Sequence, residues 1–238
     1  MLRSIKAIAV LPALAAAMLC GLPIQAQAQV FTFFVTETVE TVDAEPALDY
    51  ALFAPAEETA AQAAPALAVF GPFRVTDLHT AEMHGTVTST TPADFAAMRA
   101  AFPQLRALRM IECPGSDDDE ANLALARMVR AARIDTIVPA GGSVRSGAVE
   151  LFLAGVRRQA DPRAEFAVHS WRDDLGREAD DIARDDPVHR EYLDFYRDMG
   201  LSDETAQHFY ALSNSVPYDD ALYLPPSHLA AMGLLDVL

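Results

Sequence analysis

"IDTIVPAGGSVRSGAVELFLAGVRRQADPRAEFAVH", residues 134 to 169, is the stretch whose reading decides the fold. IDTIVPA opens it as a short, β-branched, apolar run of strand character. Gly141 and Gly142 then punctuate the chain, and SGAVELFLAGVRR follows with apolar residues at helical spacing. AEFAVH closes it as a second short strand. Two strands joined through a helix must lie parallel, because a tight hairpin cannot connect parallel neighbours. The class is therefore α/β, a parallel sheet with crossover helices.

The flanks continue the alternation. Upstream, ALRMIEC (107–113) is a strand, Pro114-Gly115-Ser116 a break, and DDDEANLALARMVRAAR (117–133) a helix whose first turn is acidic and last turn basic, the sense that the helix dipole favours. Before that, TPADFAAMRAAF (91–102) predicts a helix with Thr91 as N-cap, Pro92 at the first helical position, and Phe95, Met98 and Phe102 on one face. ALAVFGPFRV (66–75) and AEMHGTVTS (81–89) are two candidate strands. Downstream of His169, residues 179–214 carry an aromatic stripe, Tyr192, Phe195, Tyr196 and Met199, read as packing. Gly200 stops that helix and Ser202 caps the next. PPSHLAAMGLLDVL (225–238) predicts a short helix, a stop at Gly233 and a last strand.

Residues 1–28 have a basic start, an apolar run interrupted by Pro12 and an Ala-Gln-Ala end, which predicts a secretory signal cleaved near Gln29, a periplasmic or secreted location, and no stable membrane anchor afterwards. Leu19 before Cys20 argues against a lipoprotein signal. Residues 29–66, after a β-rich start at 30–42, are biased to Ala, Glu and Pro and predict a linker or N-terminal arm; 67–238 is the folded domain. Loss of residues 1–28 leaves Cys113 as the one cysteine, so no internal disulfide can form. The formal net charge of the chain is -16, which makes nucleic acid and anionic membranes poor partners. Lys6 is the only lysine and lies in the leader. Mechanisms built on a lysine, including P-loops, Schiff bases and Ser-Lys dyads, are excluded.

Of the two serines in the glycine-rich stretch, Ser146 is the better nucleophile candidate. It stands where the turn segment meets a helix, and the amide of Gly147 is free in the first turn to face a developing oxyanion. The competing role is a plain N-cap. CPGS (113–116) ends one strand and opens one helix, so its amides can supply a second oxyanion donor. His169 ends the strand after the Ser146 helix, at the carboxyl side where parallel sheets place their sites. Asp219 and Asp220 lie in a turn, and either can orient an imidazole. Asp117, Asp118, Asp119 and Glu120 are consecutive rather than alternating, which fits a solvated helical turn with a Ser116–Asp119 pairing and not a calcium loop. His79 and His84, with Glu82, form only a weak zinc pattern; His189, His208 and His228 fall on predicted helices. No metal and no cofactor is expected.

In this order of segments the chain resembles the ClpP-like serine proteases of the ClpP/crotonase fold. CPGS, the Ser-bearing helix SGAVELFLAGVRR and the strand ending in VH are similar to that family's oxyanion loop, nucleophile helix and histidine strand. HREYLDFYRDMGLSDE resembles its C-terminal helical handle, and DDALYLPPSHLAAMGLLD resembles its aspartate-bearing closing segment. Coverage runs from about residue 84 to 238. The resemblance implies a Ser146, His169, Asp220 triad, an oxyanion hole from the amides of Ser116 and Gly147, a peptide or protein substrate, and self-assembly as a homo-oligomer. Two departures stand out: Ser116 replaces a second glycine, and Ala221 occupies the family's aspartate place, with Asp220 and Asp219 one and two positions early. Three functions follow as expectations: an exported serine hydrolase acting as a peptidase, a non-catalytic periplasmic binding protein that retains the fold, and, least favoured for a lysine-free acidic chain, an acyl-CoA enzyme.

Overall fold

The computed structural model describes residues 66–236. Residues 1–65, on which the expected signal peptide and N-terminal arm with its β-rich segment 30–42 fall, and the last two residues lie outside the described part. Nine strands and six α-helices follow one another as β1 (Ala68–Phe70), β2 (Phe73–Val75), β3 (Thr80–His84), α1 (Thr91–Ala101), β4 (Ala107–Cys113), α2 (Asp119–Ala131), β5 (Asp135–Val138), β6 (Ser143–Arg145), α3 (Gly147–Leu153), β7 (Arg158–Ala160), β8 (Glu165–Val168), α4 (Pro187–Asp198), α5 (Asp203–Ser213), β9 (Leu222–Tyr223) and α6 (Pro226–Ala231). Among the described residues, a 3-10 turn, Ala179–Asp181, precedes α4.

Parallel pairing holds through the centre, β3 with β4, β4 with β5 and β6, β5 with β7, and β6 with β8. The edges are antiparallel, β1 with β2, β2 with β3, and β8 with β9. β4 carries two successors along one flank. Its first half, from Ala107, pairs with β5, and its end, Glu112 and Cys113, pairs with β6. The sheet therefore divides at Pro139–Gly142, where the Gly142 amide closes a turn on the Pro139 carbonyl at 2.8 Å. One branch runs through β5 and β7. The other, β6 and β8, carries the candidate site.

The core is continuous across these layers: Met83, Leu108, Met110 and Val144 from the sheet meet Leu125 and Val129 of α2 and Val149, Leu151 and Phe152 of α3, all fully buried. α3 is short and apolar on nearly every face, so its stability comes from burial rather than helix propensity. Its terminal carbonyls are satisfied by side chains, since Thr136 Oγ1 donates to Phe152 at 2.7 Å and Arg130 donates to Gly155 at 2.8 Å. The aromatic stripe of α4 packs as expected: Phe195 and Tyr196 are buried, and Tyr196 meets Phe209 of α5 edge-on at 5.2 Å.

Four details differ from expectation. ALAVFGPFRV is not one strand but the hairpin β1–β2, turned at Gly71 and Pro72. The N-cap of α1 is Thr90; Thr91 is helical and its hydroxyl accepts from the Thr88 amide at 2.9 Å. β6 and β7, three residues each, are strands where a turn and a helix end were expected. Residues 234–236 form no strand; Asp236 meets Arg158 at a single point, its amide donating to the Arg158 carbonyl at 2.9 Å and its side chain accepting from the Arg158 amide at 2.8 Å.

Candidate active site

Ser146 links β6 directly to α3. Its amide donates to Ala167 of β8 at 2.9 Å, and its backbone is forced to φ 51, ψ -136. A non-glycine residue in this region carries strain of roughly 1–3 kcal/mol, which the surrounding structure must sustain. Ser146 occupies the N-cap position, yet its side chain makes no capping hydrogen bond. The hydroxyl is thus spared the usual task of a serine there. Ser143 is the contrary case: it is buried, and its Oγ donates to Glu165 at 2.8 Å while accepting from Arg145. That hydroxyl is committed to a network of Arg145 with Glu112 and Glu165.

The loop after β4 lies against Ser146. Gly115 has φ +141, and a Cβ there would stand 3.0 Å from Ser146 Cβ and 3.3 Å from its Oγ. Val87 pins this loop from one side, its amide donating to Gly115 at 3.0 Å and its carbonyl accepting from Asp117 at 2.8 Å. The Ser116 amide lies on the opposite edge and, among the described residues, has no backbone partner. Gly147 sits close to Ser116, since a Cβ on it would come within 2.3 Å of Ser116 Oγ. Ser116 Oγ donates to Asp119 at 2.7 Å, the expected pairing, although the N-cap of α2 is Asp118, which accepts from Ala121 at 2.9 Å.

His169 follows β8 by one residue. Arg145 is level with Ala167 in the β6–β8 register, so Ser146 and His169 leave neighbouring parallel strands at nearly the same height. Both line one cavity of about 690 Å³, together with Ser116 and Gly147. His169 Nδ1 lies 2.8 Å from the Ser170 carbonyl, which can only accept. Nδ1 is therefore the donor, and in the neutral ring Nε2 is the acceptor. Tyr218 packs edge-on against the ring at 4.8 Å.

No hydrogen bond joins Ser146 to His169, and the third expected member is brought to neither. Asp220 is exposed, does not line the cavity, and has no hydrogen bond or ion pair with His169. Asp219 is also exposed and pairs with Arg172 at 3.2 Å. Arg172, laid over the Tyr218 ring at 3.7 Å, pairs with Asp219, and the Ser170 carbonyl takes the imidazole N–H that an aspartate would accept.

Several cavity residues were not singled out from sequence. Glu150, one helical turn beyond Ser146, accepts from Tyr196 at 2.8 Å and has its pKa pushed up to about 7 by burial, with the charge of Asp119 adding to the shift. Asn122 of α2 donates to the Gly147 carbonyl at 2.7 Å. Trp171 stacks on Tyr192 at 6.0 Å and donates to Tyr210 at 2.9 Å. The available signal was a lone acid inside GAVELFLAG, at the spacing that shares a helix face with Ser146. Cys113 is fully buried, and that burial pushes its thiol up to about 12, well away from a reactive thiolate. His84 meets Glu82 at 3.4 Å on β3, and among the described residues no three potential ligands are grouped to hold a metal ion. No helix among them is long and apolar enough to cross a membrane.

No family model and no curated protein matches the sequence. Solved structures do show likeness of fold. A ClpP1 variant from Listeria monocytogenes aligns at 16% identity over 68% of this chain and 91% of its own, with a TM-score of 0.49. A membrane protease specific for a stomatin homolog from Pyrococcus horikoshii aligns at 16% identity over 67% and 71%, with a TM-score of 0.45. The ClpP protease catalytic domain from Plasmodium falciparum aligns at 13% identity over 66% and 82%, with a TM-score of 0.44. The chain's own architecture is a mixed α/β one with a largely parallel sheet.

Proposed function

We propose that this chain is an exported serine hydrolase that cleaves peptide bonds through Ser146 and His169. The single observation that carries the reading is the strained φ of Ser146 combined with a hydroxyl released from capping, at the rim of a cavity that His169 also lines. Strain maintained at one serine of a cavity that a histidine also lines supports the reading of a positioned nucleophile. In the proposed reaction Ser146 Oγ attacks the acyl carbon and its proton passes to His169 Nε2. The amides of Ser116 and Gly147 hold the oxyanion. The imidazolium then protonates the leaving amine, and water releases the acyl group by the reverse path. The Ser170 carbonyl orients the ring where other hydrolases use a carboxylate. It lacks the full negative charge that would stabilise the imidazolium, so turnover is expected to be slow.

Treatment with a fluorophosphonate probe tests this reading. Wild type should label, and Ser146→Ala and His169→Ala should not. Export rests on the basic, apolar and Ala-Gln-Ala segments of residues 1–28; the envelope fraction of producing cells should yield a chain beginning near Gln29. The absence of a carboxylate at His169 favours a second reading, a binding protein without catalysis, and lack of labelling in wild type would select it.

A further inference from the structure

The cavity beside Ser146 is acidic and aromatic in equal measure. Six acids line it, Asp117, Asp118, Asp119, Glu150, Asp173 and Asp174, against one arginine, Arg172, which is engaged by Asp219 and Tyr218. Tyr192 and Trp171 present stacked rings along one wall. Glu150 lies one turn from the nucleophile on the same helix, held by the Tyr196 hydroxyl and by no positive group. Asn122, only 2% exposed, spends its Nδ2 on Gly147 and leaves Oδ1 with no partner at the cavity wall. A buried acceptor without a donor is costly, and a ligand N–H is the group that would satisfy it.

We infer that this cavity receives the cationic side chain of a lysine or arginine residue in the substrate, with Glu150 as counter-charge and the Tyr192 and Trp171 faces as its walls. The inference rests on the reading of Ser146 as nucleophile only for the direction in which the substrate runs. The volume, about 690 Å³, accommodates a long side chain with room for flanking peptide. Aromatic faces attract guanidinium and ammonium groups, and a carboxylate held from water gains most from a cation that enters with it. The raised pKa of Glu150 fits a carboxyl lacking that cation.

Trp171 is the only tryptophan of the chain, so its fluorescence reports occupancy directly. Full-length Ser146→Ala protein is titrated with blocked tetrapeptides acetyl-Ala-Ala-Xaa-Ala-amide, where Xaa is Arg, Lys, Leu or Glu. Arg and Lys peptides should bind at least tenfold more tightly than Leu and Glu peptides, and the preference should fall to threefold or less in Ser146→Ala/Glu150→Gln. Asp119→Asn, exposed and independent of the core, should weaken the preference in the same direction if Glu150→Gln disturbs folding. Leu binding as tightly as Arg, or a preference untouched by both changes, overturns the inference. Fluorophosphonate labelling is separate: labelling without cation preference sinks this inference alone, and cation preference without labelling supports it while sinking the hydrolase.

Discussion

Ser146 concentrates in one residue what distinguishes a site from a well-packed turn. Its position between a turn and a helix was readable from GGSVRSGAVELFLAG, but its φ was not, because that angle is imposed by β6 being held on both sides by β4 and β8. Serine at φ 51, ψ -136 has a backbone cost that glycine lacks. Ser146→Gly should therefore be more stable than Ser146→Ala by about 1 kcal/mol, measured by denaturant unfolding, with both inactive. Glu150 supplies a pH test. Its folded pKa is raised from 4.5 to about 7, so the native state holds more protons than the unfolded chain across that interval. Stability from this group is present below about pH 4.5 and declines as pH rises toward 7. The titratable groups facing it are Tyr196, Tyr192 and Asp119, none of them cationic. Glu150→Gln should raise the melting temperature at pH 8 and leave it little changed at pH 5, as followed by circular dichroism. Asp220 was legible as an acid in the right segment, but the Arg172–Asp219 pair beside it joins residues 47 apart in sequence and leaves no local signature.

At the level of elements, the oxyanion site depends on how the loop after β4 packs against the start of α3. Gly147 has ordinary backbone angles, so Ala is tolerated by the chain; the conflict is with Ser116 Oγ at 2.3 Å. Gly147→Ala keeps its own amide but pushes the Ser116 side of the oxyanion site out of place, and should slow probe labelling about tenfold or more, with little change in melting temperature. Gly147→Ala/Ser116→Gly should recover most of the rate, and labelling kinetics would reveal it. The longer elements were legible because their periods are long enough to read: β4, α2, α4 and α5 appear close to where capping and apolar spacing put them. β6 and β7 were not, since three residues carry no period, and their strand character comes from neighbours supplied by distant segments.

For the whole molecule, the dominant feature is charge. A net -16 repels itself more when compact than when unfolded. Raising salt from about 0.01 to 0.1 M shortens the screening length from about 30 to about 10 Å, and calorimetry should record a higher melting temperature. Architecture followed from strand and helix alternation, but the division of the sheet at Pro139–Gly142 did not, because it depends on β4 offering one flank to two strands. That division sets β6 and β8 side by side and so brings Ser146 and His169 to one cavity. The central claim is that Ser146 is the nucleophile there, and peptide mapping of the fluorophosphonate adduct tests it most directly. Trypsin should release residues 146–157, SGAVELFLAGVR, in which Ser146 is the sole hydroxyl. The adduct mass is predicted on that peptide; its appearance on any other peptide, or on none, would contradict the account.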